Sequence, residues 1–229
     1  MQQPYQVATQ SALTQQNKVL RNTYFLLAIS MLPTIAGAVL GLVLGPRFLL
    51  LLVYHPIIST VAFFGIIWGL MFGIQRTKDS AAGIVLLLLF TLFMGLMLTP
   101  ILTFALRLSN GVQLIAAAAG GTAAIFFVLA GIATFSKKDF SFLGKFLTVG
   151  LIVVLLAIVA NIFLNMPALD MTISVACIAL FSLFILYDVS RVLNGGETNY
   201  ITATLAIYLD VYNLFVYLLR LLIALSGRE

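Results

Sequence analysis

The sequence predicts an all-α integral membrane protein of seven transmembrane helices, with the last helix central and surrounded by the other six. Three observations carry this. Of the 229 residues, 62% are hydrophobic and only 8% are charged, with a mean hydropathy of +1.16, whereas soluble domains use apolar residues for about half of the chain. Seven predominantly apolar runs of eighteen or more residues follow one another, each long enough to cross a bilayer. The seventh run carries a polar stripe: Thr202, Asp210, Asn213, Tyr217 and Arg220 project within about 80° of one another on a helix of 3.6 residues per turn. Such a stripe cannot face hydrocarbon, so that helix is expected inside the bundle.

Met1–Asn17 is polar, rich in Gln and free of charged side chains, and lacks the apolar core of a cleavable signal. Residues 1–20 are therefore expected to be a flexible N-terminal tail, and residues 21–229 the membrane bundle. The first run, Thr23–Leu44, carries Gly37, Gly41 and Gly45 at four-residue spacing, a smooth face for close helix packing. In the second, Phe48–Phe72, the His55–Pro56 pair is expected to kink the helix because proline frees a carbonyl; His55 reads as a hydrated interfacial residue. Pro100 is expected to bend or end the third run, Ala81–Leu102. The fourth, Val112–Phe135, has a second smooth face in Ala116–Ala119, Gly120 and Gly121. The fifth is Phe142–Leu164. The sixth, Met171–Asp188, contains Cys177, the single cysteine, which has no disulfide partner or metal-ligand cluster and reads as a packing residue. Tyr200–Ala224 completes the set.

Orientation follows from the basic residues. With the N-terminus inside, Lys18, Arg21, Arg76, Lys78, Lys137, Lys138, Lys145 and Arg191 are cytoplasmic, and Arg47, Arg107, Arg220 and Arg228 lie outside. The positive-inside rule favours that arrangement, with the C-terminus on the outer side. The net charge of +5 is thus a topology signal, and no basic cluster is dense enough for nucleic acid. The expected surroundings are the lipid bilayer.

Two acidic residues break the apolar pattern. Asp188 closes the sixth run and Asp210 lies inside the seventh. A carboxylate at a membrane helix centre costs about 2.5–3.5 kcal/mol on insertion scales, so it implies a partner, a cavity or a proton. The connection between these runs turns at Gly195–Gly196 and is short, which makes the two helices antiparallel neighbours and lets the carboxylates meet. Arg191, three residues past Asp188, is the nearest counter-ion. Tyr208 and Tyr212 flank Asp210, and Asn213 and Tyr217 share its face. Two blander readings stand beside this one: a purely structural hydrogen bond between the aspartates, and a polar face that joins two copies of the chain.

Several segments resemble the Bax inhibitor family, also called the transmembrane Bax inhibitor motif family: Asn17–Leu26 (NKVLRNTYFL), Asp139–Gly144 (DFSFLG), Asn161–Pro167 (NIFLNMP), Gly195–Tyr200 (GGETNY) and Ile207–Leu222 (IYLDVYNLFVYLLRLL). The likeness is to its bacterial YccA-type branch, associated with the membrane protease FtsH, which implies a bacterial inner-membrane location. In family members that leak calcium, one aspartate follows a tyrosine at the end of helix six and another lies in a Leu-Tyr-Leu-Asp run of helix seven. Tyr187–Asp188 and Ile207–Asp210 match these positions. Those members also carry an arginine within helix two that pairs with the aspartates. Here no arginine lies between Arg47 and Arg76, which leaves Arg191 or a proton as substitute.

The resemblance implies a pH-sensitive calcium, or other cation, leak through Asp188 and Asp210. Two such carboxyls cannot both ionise cheaply, so they share a proton, and their oxygens suit transient binding of calcium, a hard cation. The alternative is a binding partner and modulator of FtsH without transport activity. No cofactor is expected apart from transient calcium. An enzyme is not expected: nucleophile–base and metal spacings are missing, and Asp210 lacks the Gly-x-Gly-Asp pattern of intramembrane aspartyl proteases.

Overall fold

A computed structural model describes residues 3–45, 54–136 and 138–226, and these are helical apart from short connections. The helices are α1 (Gln3–Leu44), α2 (Pro56–Thr77), α3 (Ala81–Met97), α4 (Thr99–Leu106), α5 (Gly111–Phe135), α6 (Leu143–Leu164), α7 (Pro167–Leu193) and α8 (Tyr200–Ser226). Seven spans are long and apolar enough to cross a membrane, with α3 and α4 together forming the third.

Three boundaries differ from the sequence reading, each for a local reason. α1 starts at Gln3, within the segment expected as a tail. That segment contains no glycine, its one proline sits in the first turn, and its Gln, Ala and Leu residues are good helix formers. At 42 residues, α1 is about 63 Å long, twice the hydrocarbon thickness of about 30 Å, and its stretch Gln15–Leu44 is long and apolar enough to cross a membrane. Tyr54 is helical, His55 is a bend and the helix resumes at Pro56, so the chain breaks at the His55–Pro56 pair as expected, and proline is favoured at this restart because the amide has no helical partner. The start expected at Phe48 lies outside the described residues. Leu98 interrupts the third span, and α4 restarts with Pro100 in its first turn. α7 begins at Pro167, four residues early, which brings Asp170 into its first turn.

The chain divides into two compact units. One holds 22–109 and 199–205. Within it α2 packs on α3, and α1 meets α3 backbone to backbone: a Cβ on Gly37 would collide with the Leu92 carbonyl, and one on Gly95 with the Thr34 carbonyl. Gly41 instead faces the side chain of Thr99, in the first turn of α4. The smooth face read from the sequence is therefore a helix seam at Gly37 and Gly41, whereas Gly45 lies just past α1 with φ +55° and meets no other described helix. Asn199 caps α8, its Oδ1 accepting from the amides of Ile201 (2.9 Å) and Thr202 (3.2 Å). Its amide donates to the Lys78 carbonyl (3.0 Å) and Asp79 Oδ1 (2.8 Å). Inside the unit, Thr204 also donates to the Thr23 carbonyl of α1 at 3.3 Å.

The other unit holds 110–198, 206–226 and the start of α1. Here α7 packs against both α5 and α6. The alanine run of α5 is divided: Ala118 is fully buried and Gly121 faces Leu218, whereas Ala116, Ala117 and Ala119 point outward. Asn110 and Ser226 exchange side-chain hydrogen bonds at 2.8 and 3.2 Å, tying the end of α8 to the start of α5.

α8 is enclosed along its length. Leu225 is its one exposed residue among those described, whereas α6 buries only Leu147 and α2 only Ile74. This matches the expectation that the polar stripe draws the seventh helix inward.

The α1–α3 seam supplies a direct test. Gly95→Val places two methyl groups against backbone, which cannot yield as a side chain does. It is expected to destabilise by on the order of 3 kcal/mol, the upper range for overpacking, read as a lowered thermal midpoint in detergent. Gly120→Val, where a Cβ meets nothing within 4 Å, is expected to leave the midpoint nearly unchanged.

Candidate functional site

Asp188 sits near the end of α7 and Asp210 within α8, and both are buried, at 9% and 6% exposure. Their carboxyl groups lie beside each other. Arg191 approaches Asp188 at 3.5 Å, one helical turn on. Its guanidinium also lies over the Tyr187 ring, 5.5 Å from the centroid, and contacts the Gly196 carbonyl at 3.5 Å. Asp188 thus has both a cation and a second carboxyl. Asp210 has less: its Oδ2 is buried and accepts no hydrogen bond from a described donor. A carboxyl O–H shared across the pair is the simplest way to satisfy it, since two ionised carboxylates offer only acceptors.

The turn after α7 holds this end in place. The Gly196 amide bonds the Arg191 carbonyl (2.8 Å) and the Gly195 amide bonds that of Val192 (3.3 Å), which is the Schellman arrangement. It requires a left-handed residue at Gly195, whose φ is +75°. The loop between α5 and α6 grips the same helix end. The Ser190 hydroxyl accepts from the Phe140 amide at 2.8 Å, and Asn194 donates to both Ser190 Oγ (3.1 Å) and Asp139 Oδ1 (3.3 Å). Asp139 closes its own turn by accepting from the Ser141 amide at 2.9 Å. Hydrogen bonds from the Ser141 hydroxyl and amide hold its carboxyl below the usual carboxylate range.

The remaining sequence-predicted residues divide between this end and others. Tyr208 is buried at 1% exposure, with its ring 6.1 Å from that of Tyr212. Asn213 donates to the Leu209 carbonyl of its own helix at 2.8 Å. Thr202 belongs to the α8 cap, donating to the Asn199 carbonyl. Tyr217 lies elsewhere: its hydroxyl is beside Cys177, and its ring stacks on Phe181 at 6.1 Å. Arg220 pairs with Asp170 at 2.8 Å.

Sequence reasoning missed Asp170, Ser190, Asn194 and Asp139 as participants. Asp170 had a readable signal. It shares a helical face with Ser174, Cys177 and Asp188 once the helix is started at Pro167. The others carried none, because the loop between α5 and α6 meets the end of α7 some fifty residues away along the chain.

As to metal, two carboxylates converge. Among the described residues no three His, Cys, Asp or Glu side chains group to hold an ion. Calcium takes six to eight oxygens, so any ion here would keep most of its water.

The sequence model of a family described as "Inhibitor of apoptosis-promoting Bax1" matches residues 16–227. An Escherichia coli K12 protein named Modulator of FtsH protease YccA is 41% identical over 215 residues, covering 93% of this chain and 92% of that one. An uncharacterised membrane protein of Vibrio cholerae is 39% identical over 213 residues, covering 93% and 92%. An uncharacterised protein of Neisseria meningitidis serogroup A is 38% identical over 217 residues, covering 93% of each.

The Asp139 clamp predicts a pH effect. A carboxyl held below its unfolded pKa stabilises the fold above the ordinary carboxylate range, and that contribution is lost as pH falls through the folded value. Amide exchange at Phe140 and Ser141 is expected to rise on acidification below the ordinary range. Asp139→Ala is expected to raise it at neutral pH and to remove the acid step; unchanged exchange would dissolve the clamp.

Proposed function

The chain belongs to the Bax inhibitor family, and from that premise we propose that it is a multi-pass inner-membrane protein that modulates an FtsH-type membrane protease. The observation that carries this is the 41% identity, along nearly the full length of both chains, to the Escherichia coli protein named as such a modulator. A second Escherichia coli relative with the same identity and coverage is named an inner membrane protein. The distribution of Lys and Arg supports a cytoplasmic N-terminus. Residues 3–14 precede the first span, and on that orientation they extend α1 toward the side where a membrane-anchored AAA+ protease engages its substrates.

The test is pulse-chase of a membrane substrate of the protease in cells with and without this chain. A changed substrate half-life is expected, and an unchanged one would overturn the reading. Removing residues 2–15 is expected to slow the protease-dependent turnover of the chain itself while leaving membrane insertion intact. Equal half-lives of the full and shortened chains would take the N-terminal segment out of the mechanism.

A second reading is favoured by one observation, the contact between the Asp188 and Asp210 carboxyls. On this reading the chain carries a pH-sensitive leak of calcium or a similar cation. Loss of the shared proton leaves two like charges on neighbouring helices, and their repulsion opens the site. Arg191, on Asp188, takes the place of the helix-two arginine. Neither reading is enzymatic, and neither needs a cofactor beyond a passing cation.

In liposomes loaded with a calcium dye, Asp210→Asn is expected to abolish the pH dependence of flux while the protein stays folded. An amide keeps a hydrogen bond but does not titrate. Unchanged pH-dependent flux in the Asp188→Asn, Asp210→Asn double variant would rule the pair out as sensor.

A further inference from the structure

The aspartate pair is one end of a longer polar seam between α7 and α8. On α7, Asp170, Ser174, Cys177 and Asp188 fall within about 60° of one another. On α8, Asp210, Asn213, Tyr217 and Arg220 share one side. Three contacts join the stripes: carboxyl beside carboxyl at Asp188–Asp210, the Tyr217 hydroxyl beside Cys177, and the Asp170–Arg220 ion pair at 2.8 Å. The eighteen residues from Asp170 to Asp188 rise about 27 Å, nearly the full hydrocarbon thickness of about 30 Å.

The middle of the seam is sealed. Cys177 has no exposed surface, and Phe181 stacks on the Tyr217 ring. The two ends differ. Asp188 is largely hidden, with 12% of its side chain exposed. Asp170 and Arg220 expose 38% and 41% of theirs, so their pair stands at a mouth rather than in the interior. Arg220 also lies over the Tyr217 ring, 5.7 Å from its centroid. One guanidinium therefore ties the ion pair at the mouth to the ring beside Cys177.

We propose that Asp170 and Arg220 form a second closure of this seam, holding Tyr217 over Cys177 and acting in series with the aspartate pair at the other end. Neutralising either partner leaves the other as an uncompensated charge at the edge of an apolar medium. Such a charge recruits water, and Tyr217 loses the cation over its face. The consequence for cations rests on the leak reading above; the closure itself does not.

The single cysteine of the chain is a built-in reporter. With a membrane-impermeant thiol reagent on both sides of reconstituted liposomes, Cys177 of the native chain is expected to stay protected. Arg220→Gln and Asp170→Asn are each expected to label about tenfold faster, the factor that corresponds to 1.4 kcal/mol of opening. The charge-swapped Asp170→Arg, Arg220→Asp chain is expected to regain most of the protection. A second chain separates local opening from unfolding: Cys177→Ser with Ala118→Cys, which places a thiol at a fully buried site on α5. Its thiol is expected to stay protected when either neutralisation is added. Unchanged Cys177 labelling in both single variants, or equal labelling of the α5 thiol, would overturn the closure. Faster Cys177 labelling with no added cation flux, measured at a pH where the leak reading has the aspartate pair open, would uphold the closure and remove the leak reading instead.

Discussion

Hydrocarbon offers no hydrogen bonds, and the arrangement of this protein follows from that single constraint. Every polar group at membrane depth must find its partner within the protein. The last helix carries the polar stripe, and among the described residues it is the span with the fewest exposed side chains. Its polar side chains are matched from α7 by carboxylate, thiol and aromatic ring. The more uniformly apolar helices α2 and α6 need no such cover and bury almost nothing. Between these extremes, glycine at Gly37 and Gly95 lets α1 and α3 exchange backbone contact for the attraction that lipid cannot provide.

The pattern of apolar runs made the helix count and the enclosed last helix legible, because hydropathy and a 3.6-residue period report directly on which faces can meet lipid. The aspartate pair was legible for the same reason, since two acids in apolar runs joined by a short turn have few places to go. Helix ends were harder to read. Pro56 reads equally as a kink or a start, and only the surrounding chain decides. Starting the sixth span at Met171 instead of Pro167 removed Asp170 from view, and with it the partner of Arg220. The contacts of Asp139 with Ser190 and Asn194 were beyond reach, because polar side chains in loops carry no period that points to a distant partner.

The aspartate pair is held by devices that are not themselves acidic. A left-handed glycine turns the chain directly after α7, and a serine hydroxyl anchors the neighbouring loop to the same helix end. These fix the turn that presents Asp188 and Arg191. A buried carboxyl pair in which one oxygen accepts from no described donor is tolerated only where its surroundings are this constrained. The same constraint bears on both functional readings. A cation path needs carboxylates that do not drift apart, and a protease modulator needs a bundle that resists being pulled from the membrane.

Chain order adds a temporal dimension. α8 is translated after the other seven helices, yet it supplies Thr204 to the Thr23 carbonyl of the first span and Ser226 to Asn110. Asn199, directly ahead of it, supplies the bonds to Lys78 and Asp79. During synthesis, six spans are therefore made before these tertiary bonds can form. Biogenesis thus has a late commitment step: the earlier helices can enter the membrane one by one, but none of these bonds closes until the last hydrophobic segment arrives. A ribosome stalled before Tyr200 would leave a membrane intermediate in which Asp170 and Asp188 of α7 lack their α8 partners.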